Sequence, residues 1–322
     1  MSPGAALQAS EMTQTADTGR IAGVTEAGKS LKSSGSLALV AWLPLAFLLS
    51  AVALLYVRLP RWALLWALAF SIFVGLKWVT WLRARSQVPH SRWRAAAYLL
   101  AWPGMDAASF LDETNRPEVP HFVDWFLAFF KTAIGACLLW FVARNVPSQP
   151  LLRGWVGMLG LVFLLHFGGF HILALFWRSY GIQATPIMRA PFRARSLSEF
   201  WGKRWNLGFR QLGHDLIFVP LHKHLSAGFA SLAVFVVSGL IHDLVISVPA
   251  HAGFGLPTAY FTFQGLGVLV EHSPFGRQIG LGKGLPGFLF LLVVTTAPIF
   301  WLFHPAFVLH VIIPFMQEVR AL

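Results

Sequence analysis

From residue 37 onward, continuous apolar runs alternate with short polar stretches. Eight runs stand out, at about 37–57, 62–82, 122–143, 155–177, 228–248, 257–270, 285–303 and 304–318. Most approach the roughly 20 residues that a helix needs to cross a bilayer. A membrane-spanning segment must satisfy its backbone groups internally, which leaves helices or a closed barrel. Barrel strands alternate apolar and polar residues at every second position. These runs do not, so they predict helices. The 257–270 run is short for a span and reads as tilted, broken or partly re-entrant. Residues 95–104 end at Pro103-Gly104 and are too short to cross, so they predict an interfacial piece.

The predicted fold class is an all-α integral membrane protein: a multi-span bundle of about eight transmembrane helices, with re-entrant or interfacial helices. Residues 1–35 read as a disordered polar tail, and 36–322 as a single transmembrane domain. Among the 322 residues, 56% are hydrophobic and only 12% charged. Soluble domains carry about 25% charged residues, so there is too little polar surface here for a water-soluble globule. The net charge of +12 is gathered in loops, which points to topology and to anionic lipid or substrate rather than to nucleic acid. Basic residues crowd 83–121 and 178–227, while the opposite loops hold Arg58, Arg61, Arg144 and Arg153. This predicts both termini on the cytoplasmic side. The ratio of 18 Arg to 7 Lys suggests a bacterial inner membrane.

Within 178–227, eight basic residues face only Glu199 and Asp215. Ser196 and Glu199 fit a capping box that starts a helix near Leu197. Leu197, Phe200, Trp201, Trp205, Phe209 and Leu212 follow at helical spacing, predicting one amphipathic helix at the interface. Such a basic, aromatic segment reads either as an anchor or as an electropositive mouth for an anionic cosubstrate such as coenzyme A.

His242 falls in a run, 228–249, whose only other ionisable residue is Asp243. An imidazole there is either a packed core residue or a functional group. Asp243 points about 100° away on a helix and is no evident partner for it. His214, His222 and His224 do not form a convincing metal set, and no metal is expected. His166 and His171 read as packing or polar lining, and Lys77 and Lys131 as snorkelling or lining a cavity. Cys137 has no possible intramolecular partner. No nucleophile elbow or paired carboxylates appear.

The stretch from Pro191 through Phe200-Trp201-Gly202-Lys203-Arg204-Trp205-Asn206, followed 36 positions later by His242, resembles the membrane-bound O-acyltransferase superfamily, and within it the wax-synthase-like branch. The resemblance implies acyl transfer from acyl-CoA, a cosubstrate rather than a resident cofactor, to the hydroxyl of a hydrophobic alcohol inside a membrane tunnel. It implies catalytic roles for His242 and Asn206. It also implies structural or donor-binding roles for Trp201, Arg204 and Trp205, with Lys203 in the basic mouth. For His242 and Asn206 to cooperate, the helix carrying Asn206 must dip inward. Two other readings stay open at this point: a transporter or lipid-handling protein, and an acyltransferase acting on polysaccharide or protein hydroxyls.

Overall fold

A computed structural model describes residues 35–147 and 149–322. The expected polar tail therefore lies, but for its last residue, outside the described residues. The chain divides into two compact units, Met1–Pro44 and Leu45–Leu322. Of the first, only the opening of helix α1 (Gly35–Leu55) is described.

All regular elements among the described residues are helical. The long ones are α2 (Arg61–Ala84), α5 (Phe122–Asn145), α6 (Pro150–Ser179), α9 (Ala227–Ala250) and α12 (Gly284–Leu302), each long and apolar enough to cross a membrane. Between α2 and α5 come the short α3 (Arg92–Ala101) and α4 (Ala107–Leu111). Between α6 and α9 come α7 (197–204) and α8 (207–222). The bundle is completed by α10 (Leu256–His272), α11 (Pro274–Gln278) and α13 (Pro305–Glu318). Large apolar side chains remain exposed along the spans, Leu54 at 82% and Phe122 at 82% among them. In water such a surface would aggregate, whereas in lipid it is solvated.

Six helices contain a widened, π-type turn, and three of these turns have a clear cause. The turns His214–Phe218, Asp243–Ser247 and Val308–Ile312 each end two residues before a proline: Pro220, Pro249 and Pro314. Proline has no N–H to donate and its ring crowds the carbonyl four residues back. A wider turn relieves the crowding.

Small residues set the close approaches. A Cβ on Gly239 of α9 would stand 2.6 Å from Thr258 Cα of α10, and one on Gly228 would stand 3.1 Å from Leu269. The two helices therefore run antiparallel along their full lengths. So α10 is one continuous helix of 17 residues, about 25 Å long, neither broken nor re-entrant. The loops at 85–121, 180–226 and 273–283 share one end of the bundle, the near face. Trp177 donates to Ala101 O (3.0 Å), Arg178 donates to Glu118 O (3.0 Å), and Leu197 N donates to Glu271 (2.7 Å).

The final helix overturns the expectation for 304–318. Its first turn meets the far end of α9, where a Cβ on Gly253 would strike the His304 ring. Its last turn also meets far ends: Met316 fills the space beside Gly157, Phe315 packs on Trp62 and Trp66, and Trp140 donates to Val319 O (3.0 Å). Both ends of α13 thus sit at the far face, so it lies across the bundle instead of spanning it. The C-terminus is consequently on the face opposite the basic loop, not on the same face as expected. Composition could not reveal this, because α13 is apolar enough to cross and its burial against other helices uses the same residues.

Candidate active site

The chain enters the site from the near face. Ser196 caps α7, its hydroxyl accepting from Glu199 N (3.1 Å). Only this half of the expected capping box forms, because Glu199 turns back to accept from Arg195 N (2.8 Å) and from Arg204 Nε (2.7 Å). These contacts, the Arg195 amide first, hold the Glu199 carboxyl below its ordinary pKa. The free N–H groups of the first turn are met by a second carboxylate. Buried Glu271 of α10 accepts from Leu197 N and from Ser198 Oγ (2.5 Å). A negative charge at a helix N-terminus is well placed. Leu197 is fully buried among Ala194, Leu291 and Val294. Hence α7 is pulled into the bundle between α10 and α12.

Trp201 is the tip of this insertion. Its ring meets Phe235 of α9 edge-on (5.9 Å) and Phe261 of α10 (5.7 Å), and its indole N–H donates to Gln264 Oε1 (3.4 Å). Gln264 is fully buried and donates in turn to Val294 O (2.8 Å). Phe261 also packs against His242, at 4.3 Å between centroids. The sequence cluster and the intramembrane histidine are therefore joined through one shared phenylalanine.

The His242 side chain is oriented by its own helix. Nδ1 is 2.7 Å from Ser238 O, one turn back. A carbonyl can only accept, so Nδ1 carries the proton and Nε2 keeps a free lone pair. Asp243 does not touch the ring. It accepts from Ser247 Oγ (2.8 Å), Gly255 N (2.9 Å), and Thr258 N (3.0 Å) and Oγ1. It clasps α9 to the N-terminus of α10.

The expected single amphipathic helix over 197–212 is interrupted at Trp205–Asn206. Asn206 has φ +41 and accepts from Phe209 N through Oδ1 (3.4 Å), beginning α8 afresh. Asparagine tolerates this left-handed backbone better than most residues. Its Nδ2 amide remains free to donate. α8 and α9 form an antiparallel hairpin in which Gly213 faces Val234. Leu212 of α8 packs in one cluster with Ile241, Leu244 and Val245 of α9, which brings the segment that follows Asn206 alongside the turn that carries His242. The break lets the chain dip inward and return, which one straight interfacial helix could not do.

Beside Asn206 opens a cleft of about 390 Å³. Arg189, Lys203 and Arg210 line it against a single carboxylate, Asp106, with Gln183 and Gln211 adding amides. Its far wall is the loop 102–106 that follows α3. Lys77, buried in α2, reaches that loop, donating to Gly104 O and lying 3.2 Å over the Tyr98 ring. Lys131 meets His171 Nδ1 (3.0 Å), joining α5 to α6 away from this cleft. His214 pairs with Asp215 (2.9 Å). Among the described residues no group of three His, Cys, Asp or Glu could hold a metal ion.

The segment that builds the insertion, the hairpin and the start of α10 also matches a family model, that of the "Membrane bound O-acyl transferase family", over residues 184–263. This segment is similar to the membrane bound O-acyl transferase family. Similar proteins include the "probable long-chain-alcohol O-fatty-acyltransferase 2" of Arabidopsis thaliana, 30% identical over 143 residues, covering 39% of each chain. The "long-chain-alcohol O-fatty-acyltransferase" of Simmondsia chinensis is 30% identical over 144 residues, 40% of each chain. The "acyl-CoA--sterol O-acyltransferase 1" of Arabidopsis thaliana is 32% identical over 71 residues, 20% of this chain and 21% of its own. The chain spans about two fifths of the length of the first two relatives.

Across the matching segment, the residues singled out by sequence divide by position. Trp201 and His242 share the Phe261 contact, and Trp205 stacks on Phe200 (5.4 Å). Lys203 faces the cleft, whereas Arg204 is held by Glu199 and by the Arg189 and Ala190 carbonyls. Sequence reasoning missed Glu271, Gln264 and Asp243 as organisers. Gln264 did carry a signal, as a polar residue within the apolar run 257–270, and Glu271 follows directly at its end.

Proposed function

We propose that this chain is a membrane-embedded O-acyltransferase that moves an acyl group from acyl-CoA to the hydroxyl of a lipid-soluble alcohol. The observation that carries this reading is the free Nε2 of His242, held by Ser238 and packed on the same Phe261 as Trp201, within the segment that matches the family. His242 Nε2 takes the proton of the alcohol while its oxygen attacks the thioester carbonyl. The tetrahedral intermediate collapses, the C–S bond breaks, and the imidazolium returns the proton to the departing CoA sulfur. The Asn206 amide donates to the developing oxyanion. Arg189, Lys203 and Arg210 bind the CoA phosphates in the cleft, with its mouth on the cytosolic side. Burial of the reacting atoms keeps water from the thioester.

Both organisms among these relatives are plants, and nothing beyond the Arg-to-Lys ratio favours a bacterial inner membrane. The location retained is a multi-pass integral membrane one with loop 178–227 in the cytosol. The test uses purified full-length protein in lipid vesicles with radiolabelled acyl-CoA and a panel of long-chain alcohols and sterols. Ester should form, and His242→Ala should abolish it while the protein still inserts and keeps its melting temperature. A transporter would give no ester, and an unimpaired His242→Ala variant would remove the proposed base. Ester formed only with a glycan or peptide acceptor would move the substrate class.

A further inference from the structure

A second cationic cleft opens on the near face, apart from the one beside Asn206. It has a volume of about 500 Å³ and is lined by Arg94, Arg116 and Arg178, with Glu113 the one carboxylate among its lining residues. Arg94 is buried, fixed by Phe110 O (3.3 Å) and Asp112 O (2.7 Å). Glu113 is turned toward Ser91 N (2.9 Å) and stands 3.7 Å from Arg94. Arg178 donates only to a backbone carbonyl, Glu118 O, and among the described residues neither it nor Arg116 has a carboxylate partner. One carboxylate thus answers three guanidinium groups, and Arg guanidinium prefers phosphate or carboxylate oxygens in a forked geometry.

The surroundings of the cleft choose between a dissolved anion and a lipid. Ser179, on its wall, is the last residue of α6. Val119 and Tyr180 are 71% and 68% exposed, and Phe122, which opens α5, is exposed beside them in sequence. Tyr180 rests on Phe176, one turn down α6, at 5.0 Å, and Phe176 is itself exposed. The cleft therefore sits where two spans leave the hydrocarbon, with an apolar track leading from its rim into the bilayer. A soluble phosphate needs no such track, but the acyl chains beneath a headgroup do.

We propose that this cleft binds the headgroup phosphate of an anionic phospholipid in the near-face leaflet. Arg116 and Arg178 take the phosphate oxygens, Arg94 supplies fixed positive charge behind them, and the Tyr180–Phe176 pair receives the first part of an acyl chain. The site is independent of the acyl-transfer reading, since none of its residues lines the Asn206 cleft.

Native mass spectrometry of the detergent-purified full-length chain tests it. The protein is titrated with dioleoyl-phosphatidylglycerol and, separately, with dioleoyl-phosphatidylcholine. The wild type should retain phosphatidylglycerol with a preference of roughly tenfold or more, as two unpaired arginines at a membrane surface imply. R116Q/R178Q should lose that preference while keeping the wild-type melting temperature in phosphatidylcholine, and the far-face variant R58Q should keep the preference. Inorganic phosphate and acyl-CoA are then added as competitors. Failure of both to displace phosphatidylglycerol supports the lipid site. Displacement by inorganic phosphate or by acyl-CoA makes the cleft a site for dissolved phosphate or phosphate esters and overturns the proposal, as does an unchanged preference in R116Q/R178Q.

Discussion

His242 and Asp243 are neighbours with unrelated work. The imidazole looks to Ser238 and Phe261, and the carboxylate to Ser247, Gly255 and Thr258. Asp243→Ala would leave the Gly255 and Thr258 amides and the Ser247 and Thr258 hydroxyls without their acceptor, so it should cost about 1–3 kcal/mol of stability. Thermal unfolding in detergent measures this, and a variant as stable as wild type would mean that the clasp contributes nothing. Asn206→Ala should lower the rate of ester formation roughly 10²–10³-fold if its amide is a single oxyanion donor, with a smaller loss of stability from the cap and the left-handed backbone. At Glu199 the shift has a definite sign. Its folded pKa lies below the unfolded one, so its contribution is present at neutral pH and disappears as pH falls through the lowered value. Glu199→Gln should therefore flatten the acid limb of the pH–stability curve, a difference visible by comparing melting temperatures across the carboxylate range. His242, Asn206 and Trp201 were legible in sequence because their chemistry is unusual for their surroundings. The tie of Glu271 to Ser198 was not, because the two are 73 positions apart and neither shows its partner locally.

At the scale of elements, close helix contacts follow glycine. Gly135 and Gly160 face each other between α5 and α6, where a Cβ on Gly160 would come 2.8 Å from Leu139 N and one on Gly135 would meet the Leu164 backbone. Backbone cannot rotate aside as a side chain can. Gly135→Val should thus separate the helices and cost about 1–3 kcal/mol, read as lower melting temperature and weaker protease resistance. A mutant with unaltered melting would show that the helices do not pack this closely in the membrane. The spans themselves were readable to within a few residues, since length and hydropathy suffice for them. The 197–212 segment was misread as one helix because its periodicity carries through the break. The periodic pattern records which side chains are apolar, and it is silent about the positive φ of Asn206 that ends one helix and starts another.

For the whole molecule, the decisive feature is the transverse final helix. Arg144 donates to Arg320 O, Trp140 to Val319 O, and Met316 is fully buried beside Gly157. A protease-cleavable tag after Leu322 should accordingly be digested from the side opposite a tag in the 178–227 loop, in sealed vesicles of one orientation. Digestion of both tags from the same side would return α13 to a crossing helix. The amino-acid sequence by itself determined the helical membrane class, most span positions, the basic near face and the residues with unusual chemistry, because each is set by local composition against the bilayer. Only tertiary structure decided that Trp201 and His242 meet on Phe261, that Leu212, soon after Asn206, packs beside Ile241, and that the C-terminus stays on the far face. Those outcomes depend on which apolar surface finds which partner, and apolar side chains alike in hydropathy differ only in the shapes they fit.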